Sequence, residues 1–215
     1  MSGIIYNTMP VDYPVTQAEA LLFLKQNSGT PDDSLVDDLI AMATQEVELI
    51  TEHQLQEATS IQYFDGFCRG GLLKLKRPPV SSITSVKYLD VNGVEQTILS
   101  SNYRLINKNE ASAFVQFNST YILPIVDRNL LDTVYVEFVS GYETWNDSKP
   151  GVPVPIKKAI LIYINEIYEH RLYQQERAIT GQLMENTLAM QLLKGYMIQT
   201  PSAIGFGGSI PITVS

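Results

Sequence analysis

The spacing of apolar residues changes twice along this chain, and that change restricts the fold more than any other feature. From Leu35 to Ile50, apolar side chains recur every three or four positions, which places them on one face of a helix. Between residues 59 and 141, short β-prone runs with two-residue alternation are separated by turn residues. From Pro155 to about Tyr173 the helical spacing returns.

This order predicts an α+β fold: a helical bundle built from N-terminal and C-terminal helices and interrupted by an antiparallel, hairpin-rich β lobe. Thr16 precedes Glu19 by the spacing of a capping box, so the first helix is expected to begin there. The predicted parts are an N-terminal extension (1–15), an acidic helical hairpin (16–58), the β lobe (59–150), C-terminal helices that complete the bundle (151–198) and an extended uncharged tail (199–215).

Turn residues set the expected boundaries of six to eight strands in the β lobe. Arg69-Gly70-Gly71 is predicted to fold the first strand onto the second, and Asp90-Val91-Asn92-Gly93 to join the next two as a hairpin. The clearest strand has Val134, Val136 and Phe138 on one face. The expected strands are 61–67, 72–76, 83–89, 94–99, 103–106, 113–117 and 133–139.

The negative charge of this chain is concentrated in its first quarter. The 215 residues carry a net charge of -8, yet residues 1–58 contain ten acidic residues against one basic residue, Lys25. Residues 59–150 contain nine of each, and the remainder is close to neutral. Broad nucleic-acid binding is not expected, because it needs a basic face that neutralises phosphates.

No arrangement of residues in the sequence predicts catalysis. Neither His53 nor His170 has a second histidine three or four positions away, so no helix-borne zinc pair is present. The stretch from Gly66 to Gly71 lacks both the P-loop ending and the context of a dinucleotide site. Cys68 is the single cysteine and cannot form an intrachain disulfide. We therefore expect no enzyme, no metal and no cofactor.

Nothing in the sequence indicates contact with a membrane. No apolar run reaches the roughly 18 residues that a spanning helix needs. The first residues lack the basic region and the apolar core of a secretory signal, so synthesis in a cytoplasm is expected.

Two charged clusters are the candidate interaction surfaces. The acidic cluster lies at the start of the second helix, where the helix dipole favours negative charge; it comprises Asp33, Asp37 and Asp38. The basic cluster comprises Lys74, Lys76 and Arg77. It has two interpretations: the solvent face of an edge strand, where lysine blocks unwanted pairing, or a contact with the acidic hairpin of an adjacent copy.

The uncharged tail is the third candidate. Residues 195–215 contain no charged side chain, and the proposed contact residues are Ile204, Phe206, Ile210, Ile212 and Val214. Two interpretations stay open. Such a segment can order on a partner, for example by adding Ile210–Val214 as a strand to a sheet edge, or it can be a disordered end.

Several segments in a fixed order resemble one protein family. They are TQAEA (16–20), DDSLVDDLI (32–40), RPPVSSITSVKY (77–88), DVNGVEQTILSSNYRL (90–105), VYVEFVSGY (134–142) and PVPIKKAIL (153–161). The set covers about residues 16–175 and resembles the head–tail connector (adaptor, or head-completion) proteins of tailed bacteriophages and phage-like gene transfer agents. The specificity lies in the collinear order, and the chain departs from the pattern in residues 1–15 and after Tyr173.

The resemblance implies a structural virion protein without catalysis. Connector proteins form a ring, typically of twelve subunits, beneath the portal at the capsid vertex, where the ring extends the DNA channel and docks the tail or stopper. Their extended C-terminus commonly contacts the portal. The implied partners are further copies of the chain, the portal protein and a downstream tail or stopper protein, and the implied location is the virion neck.

The charge pattern is compatible with such a ring in two ways. Acidic residues that face the channel would repel DNA phosphates, so that DNA passes without specific binding. The same residues on the side of a subunit would pair with Lys74, Lys76 or Arg77 of a neighbour, since a ring needs two complementary side surfaces.

The alternative functions to a connector are another neck or tail-completion protein and, less favoured, a non-catalytic ligand-binding β module motivated by Trp145 and the tyrosines. A small hydrolase is disfavoured.

Overall fold

The computed structural model describes residues 3–8, 12–26, 33–68, 70–108, 110, 112–126, 130–142, 151–170 and 187–198. It contains helices and antiparallel strands, so the predicted α+β fold is confirmed. The predicted tail contacts (Ile204, Phe206, Ile210, Ile212 and Val214), Trp145 and the side chain of His170 lie outside the described residues.

The described chain contains four α-helices, eight strands and one short 3₁₀-helix. The helices are α1 (Gln17–Leu24), α2 (Asp33–Thr51), α3 (Val154–His170) and α4 (Thr187–Leu193). The strands are β1 (Ile4–Thr8), β2 (Ala58–Phe64), β3 (Leu72–Leu75), β4 (Val80–Leu89), β5 (Glu95–Ile98), β6 (Tyr103–Ile106), β7 (Ala113–Phe117) and β8 (Val134–Ser140). The 3₁₀-helix spans Ser100–Asn102.

Helix α1 begins at the predicted capping box. The Thr16 hydroxyl accepts a hydrogen bond from the Glu19 backbone N–H (3.2 Å), and the Glu19 carboxylate accepts one from the Thr16 N–H (2.8 Å). Two backbone donors at the helix start, which have no partner within the helix, are thereby satisfied. The capping-box prediction is confirmed.

The helices share one apolar core. Helix α2 packs on α3, α3 packs on α4, and α1 contacts both α2 and α3. The apolar stripe of α2 supplies Val36, Ala43 and Val47, all fully buried, and they meet Ile156 and Ile160 of α3. Residues from the N-terminal and C-terminal parts of the chain therefore close the same core.

The strands form two antiparallel sheets with a second apolar core. The five-stranded sheet has the order β1-β2-β8-β4-β5, and the three-stranded sheet has the order β3-β7-β6. The predicted face of β8 is confirmed, because Val134, Val136 and Phe138 are fully buried. They share a cluster with Leu73 of β3 and Val115 of β7, so the core lies between the sheets.

The predicted pairing across Arg69-Gly70-Gly71 is wrong. Strand β2 pairs with β1 and β8, whereas β3 pairs with β7 in the other sheet. A turn is present here, because the Gly71 N–H donates to the Cys68 carbonyl (3.1 Å), but long-range burial selects the strand partner: Leu73 and Leu75 face the core between the sheets. The predicted extension also contains an edge strand, β1, which pairs with β2.

Candidate functional site

The acidic cluster lies on the surface of α2 next to α1. Asp37 and Asp38 are exposed and Asp33 is half-buried. The Gln17 side-chain amide of α1 donates to Asp37 Oδ1 (2.9 Å) and to the carbonyl oxygen of Asp33 (3.3 Å). This end of the cluster therefore holds the two helices together, while the carboxylates of Asp37 and Asp38 remain accessible.

The basic cluster is divided between two environments. Strand β3 is an edge strand of its sheet, and Lys74 and Lys76 are exposed there. The buried side chain of Gln62 contacts the same stretch: its Nε2 donates to the Lys74 carbonyl (3.1 Å), and its Oε1 accepts from the Lys76 N–H (2.8 Å). Arg77 follows β3 and is half-buried against α2.

Arg77 is the centre of a polar network that we call the Arg77 junction, formed by Tyr6, Glu48, Gln54 and Arg77. Arg77 Nη1 lies 3.9 Å from Glu48 Oε2 and donates to the Tyr6 hydroxyl. The Arg77 guanidinium carbon also lies 5.1 Å from the centre of the Tyr6 ring. The Tyr6 hydroxyl in turn donates to Gln54 Oε1 (2.9 Å). The junction joins β1, α2 and the loops before β2 and β4.

Glu48 is the buried charge of the Arg77 junction. Its Oε1 accepts from Gln54 Nε2 (3.1 Å) and from the Leu55 backbone N–H (2.9 Å). Burial raises the pKa of the Glu48 carboxyl, and the Leu55 N–H and Arg77 partly offset that rise. Burial likewise raises the pKa of Tyr6, against the opposing effect of Arg77. The polar groups of the junction bond to one another, so the junction stabilises the contact between β1, α2 and the loops before β2 and β4.

Sequence reasoning missed this junction. The sequence presents Lys74, Lys76 and Arg77 as one patch with two interpretations, the solvent face of an edge strand or a contact with the acidic hairpin of an adjacent copy, and neither predicts a partner within the same chain. In the structure Arg77 contacts Glu48 of its own chain. No local spacing relates these two residues, and the contact exists only because the β3–β4 loop lies over α2.

Two segments of the sequence resemblance meet beside the junction. The Pro78 carbonyl accepts from the Gln54 N–H (2.9 Å), and the Pro79 carbonyl accepts from the Gly141 N–H (2.8 Å). The Pro78–Pro79 peptide bond is cis. The segments RPPV and SGY are therefore adjacent in space, at the boundary between helices and sheets.

Two clefts flank the Arg77 junction and share Glu48, Leu49 and Arg77 as walls. The larger, of about 610 Å³, is called the Cys68 cleft; the other, of about 520 Å³, is called the Tyr13 cleft. Leu49 is 72% exposed between them, so it presents an apolar surface to both clefts. Both clefts are candidate contact surfaces.

The comparisons with known proteins give similarity of structure alone. No family model matches the chain, and no curated protein sequence matches it significantly. A chain in the virion of a native gene transfer agent (GTA) particle matches with a TM-score of 0.71 at 18% identity, over 93% of this chain and 97% of that one. A chain in the neck of an empty GTA particle, computed with C6 symmetry, matches with a TM-score of 0.73 at 17% identity, over 94% of this chain and 98% of that one.

A third match is a chain in the neck of a native GTA particle computed with C12 symmetry, with a TM-score of 0.64 at 17% identity over 93% of this chain and 98% of that one. The chain has the fold of a GTA neck chain. Because the likeness covers almost all of both chains, it includes the helical core and both sheets rather than a single common motif.

Among the described residues, no three His, Cys, Asp or Glu side chains come together as metal ligands. His53 is buried, with Nδ1 2.9 Å from the Thr51 carbonyl, and burial lowers its pKa. His53 therefore contributes to the hydrogen bonding at the C-terminal end of α2. Within the part of the chain that the structure describes, no helix is long and apolar enough to cross a membrane.

Proposed function

We propose that this protein is a structural component of the virion neck of a phage-like particle. The observation that carries the proposal is the likeness to a GTA neck chain, with a TM-score of 0.73 over 94% of this chain and 98% of the other. The internally satisfied Arg77 junction fits a protein whose polar groups stabilise a shape rather than transform a substrate.

Within the neck, the proposed role is that of the head–tail connector, or adaptor. The chain forms a homo-oligomeric ring beneath the portal, with twelve subunits as the expected number. The ring extends the DNA channel, lets DNA pass without specific binding, and docks the tail or stopper. The C6 and C12 symmetries used for the compared necks support a ring of this size. The role requires neither catalysis nor a cofactor.

The exposed charges supply two surfaces of opposite sign for ring closure. Asp37 and Asp38 are exposed on α2, and Lys74 and Lys76 are exposed at β3. A head-to-tail ring brings a different surface from each neighbour together, so an acidic surface can meet a basic one. Arg77 contributes less to such a contact, because Glu48 of its own chain already lies beside it. The uncharged tail, from Ile204 to Val214, is proposed to contact the portal.

Charge reversal distinguishes the possible roles of the acidic cluster. In the variant Asp37→Lys/Asp38→Lys, rings should fail to form if these residues bind a neighbour, and Lys74→Glu/Lys76→Glu should restore them. If the acids line the channel, rings form normally but DNA passage slows. Glu110→Lys is the control, because it adds positive charge at an exposed site in the β lobe. Ring mass by native mass spectrometry, measured with portal rings present, is the first readout.

Binding to the portal tests the connector role itself. We expect the protein to co-sediment with purified portal rings, and deletion of residues 199–215 to weaken that association while the fold is retained. A protein that stays monomeric with portal present contradicts the connector role. If it instead binds only to isolated tails, the alternative of another neck or tail-completion protein is favoured.

A further inference from the structure

The Cys68 cleft lies where the described part of the C-terminal region ends. Ile198, the last described residue, lines the cleft. Its apolar wall also contains Ile4 of β1, Leu49 of α2, Phe64 of β2 and Leu75 of β3. The volume of about 610 Å³ falls within the range of roughly 300–1,000 Å³ that is typical of ligand pockets. The described part of the C-terminal region therefore ends at the wall of a site that can hold apolar groups.

We propose that residues 199–215 of the same chain occupy the Cys68 cleft in the unassembled subunit. The segment has no charged side chain and carries Ile204, Phe206, Ile210 and Ile212. The cleft supplies the matching chemistry, because apolar side chains line it together with acidic and basic ones. A charged side chain that packed against the apolar wall would lose its hydration, whereas an uncharged apolar segment does not bear that cost.

Because Ile198 lines the cleft, binding of the chain's own tail is favoured over binding of a separate molecule. Phe206 follows Ile198 by eight residues, and an extended chain of that length spans at most about 29 Å. The tail can therefore fold back into the cleft without moving α4. A short flexible tether also gives its end an effective concentration in the mM range, which a free peptide does not reach.

The contact is expected to use side chains rather than strand addition to β3. The edge of β3 that faces the cleft is already bonded, because Gln62 binds the Lys74 carbonyl and the Lys76 N–H. An added strand would have to displace this buried side chain. Phe206 and the tail isoleucines instead pack against Leu49 and Phe64.

This inference does not depend on a ring or a portal, since it concerns the isolated subunit. If the tail also contacts the portal, the two sites compete for it. Docking in the cleft would then withhold the tail until the portal is present, and release would expose the cleft wall to the assembly.

Cys68 provides a direct probe, because it is the single cysteine, is exposed among the described residues and lines the cleft. In the assay its thiolate attacks the disulfide of an aromatic disulfide reagent, forms a mixed disulfide and releases one coloured thiolate. We expect the full chain to react about tenfold more slowly than a chain ending at Ile198, which corresponds to an open state populated at about 10%. Equal rates for the two chains overturn the proposal.

Two further comparisons identify the occupant. The full-length variant Phe206→Ser/Ile210→Ser should react as fast as the truncated chain, whereas the matched control Ser209→Ala/Thr213→Ser should stay protected. The protection should also be unchanged on dilution, because a docked tail of the same chain binds without a second molecule. Protection that disappears on dilution shows the tail of another copy in the cleft and overturns the proposal. Circular dichroism confirms that each variant is folded, and native mass spectrometry that it is monomeric.

Discussion

The position that a Cβ atom would take on Gly141 lies 2.2 Å from the carbonyl oxygen of Gln56. Gly141 also has a φ of 109°, which side-chain-bearing L residues rarely adopt. Its N–H donates to the Pro79 carbonyl. The chain leaving β8 thus passes so close to the loop before β2 that only glycine fits. This explains the glycine in the segment VYVEFVSGY by geometry.

Replacing Gly141 with alanine should destabilise the protein severely. The positive φ costs about 1–2 kcal/mol, and the clash with the Gln56 backbone adds to that cost because neither chain segment is a flexible side chain. The matched control is Gly93→Ala, where φ is 73° but no atom lies within 4 Å of the new Cβ. Urea unfolding should show a loss of about 1 kcal/mol for the control and at least about 3 kcal/mol for Gly141→Ala. Equal losses would contradict the close contact.

Removing the helix cap of α1 should cost a moderate amount of stability. Thr16→Ala deletes the hydroxyl that accepts from the Glu19 N–H, and such caps contribute about 1 kcal/mol to the free energy of unfolding. Thr16→Ser keeps the hydroxyl and should retain most of the wild-type stability. A thermal shift that is the same for both variants would show that the cap does not stabilise α1.

The Arg77 junction predicts an energetic coupling between Arg77 and Glu48. Each of Arg77→Met and Glu48→Gln removes one charge of the pair, so the double variant should lose less stability than the two single losses together. We expect a coupling of about 1 kcal/mol by urea unfolding, because the pair is partly buried and shares Gln54 as a neighbour. Arg104→Met, in an exposed strand position, serves as the control and should show no coupling with Glu48→Gln. Additive losses in the first cycle would contradict the junction.

His53 should make the protein less stable as the pH falls. Burial lowers its pKa below the usual 6.5, so the unfolded chain takes up a proton before the folded chain does. The stability that neutral His53 provides is complete above about pH 7 and decreases as the pH falls through 6.5 towards the lowered folded pKa. The melting-temperature difference between wild type and His53→Asn should therefore shrink between about pH 7.5 and pH 5.5. A difference that grows towards low pH would mean that folded His53 is charged.

The elements that the sequence predicts correctly are determined by interactions between residues close together in the chain. The β4–β5 hairpin forms because Asp90 Oδ1 accepts from the N–H groups of Asn92 and Val94, and Gly93 takes the positive φ that the turn needs. The Thr16 cap and the α2 stripe are similarly readable from short spacings. The α+β fold could be predicted because these local signals occur in a distinct order.

The features that sequence reasoning missed depend on contacts between distant residues. Strand β1 is a short run whose place is set by pairing with β2, and β3 pairs with β7 rather than with its sequence neighbour. The division of the basic cluster follows from the end of β3, which leaves Lys74 in solvent and directs Arg77 towards Glu48. The acidic and basic clusters were found from composition, but their partners in an assembly stay predictions.

Imaging the neck of the particle that contains this chain tests the proposed connector role most directly. A cryo-electron microscopy map of the neck, resolved well enough to assign side chains, should show the chain as a ring of twelve copies between portal and tail. The α2 face with Asp37 and Asp38 should either line the channel or contact a neighbour's β3. If the density at that position belongs to another protein, and this chain lies elsewhere in the particle or is absent from it, the connector role is contradicted.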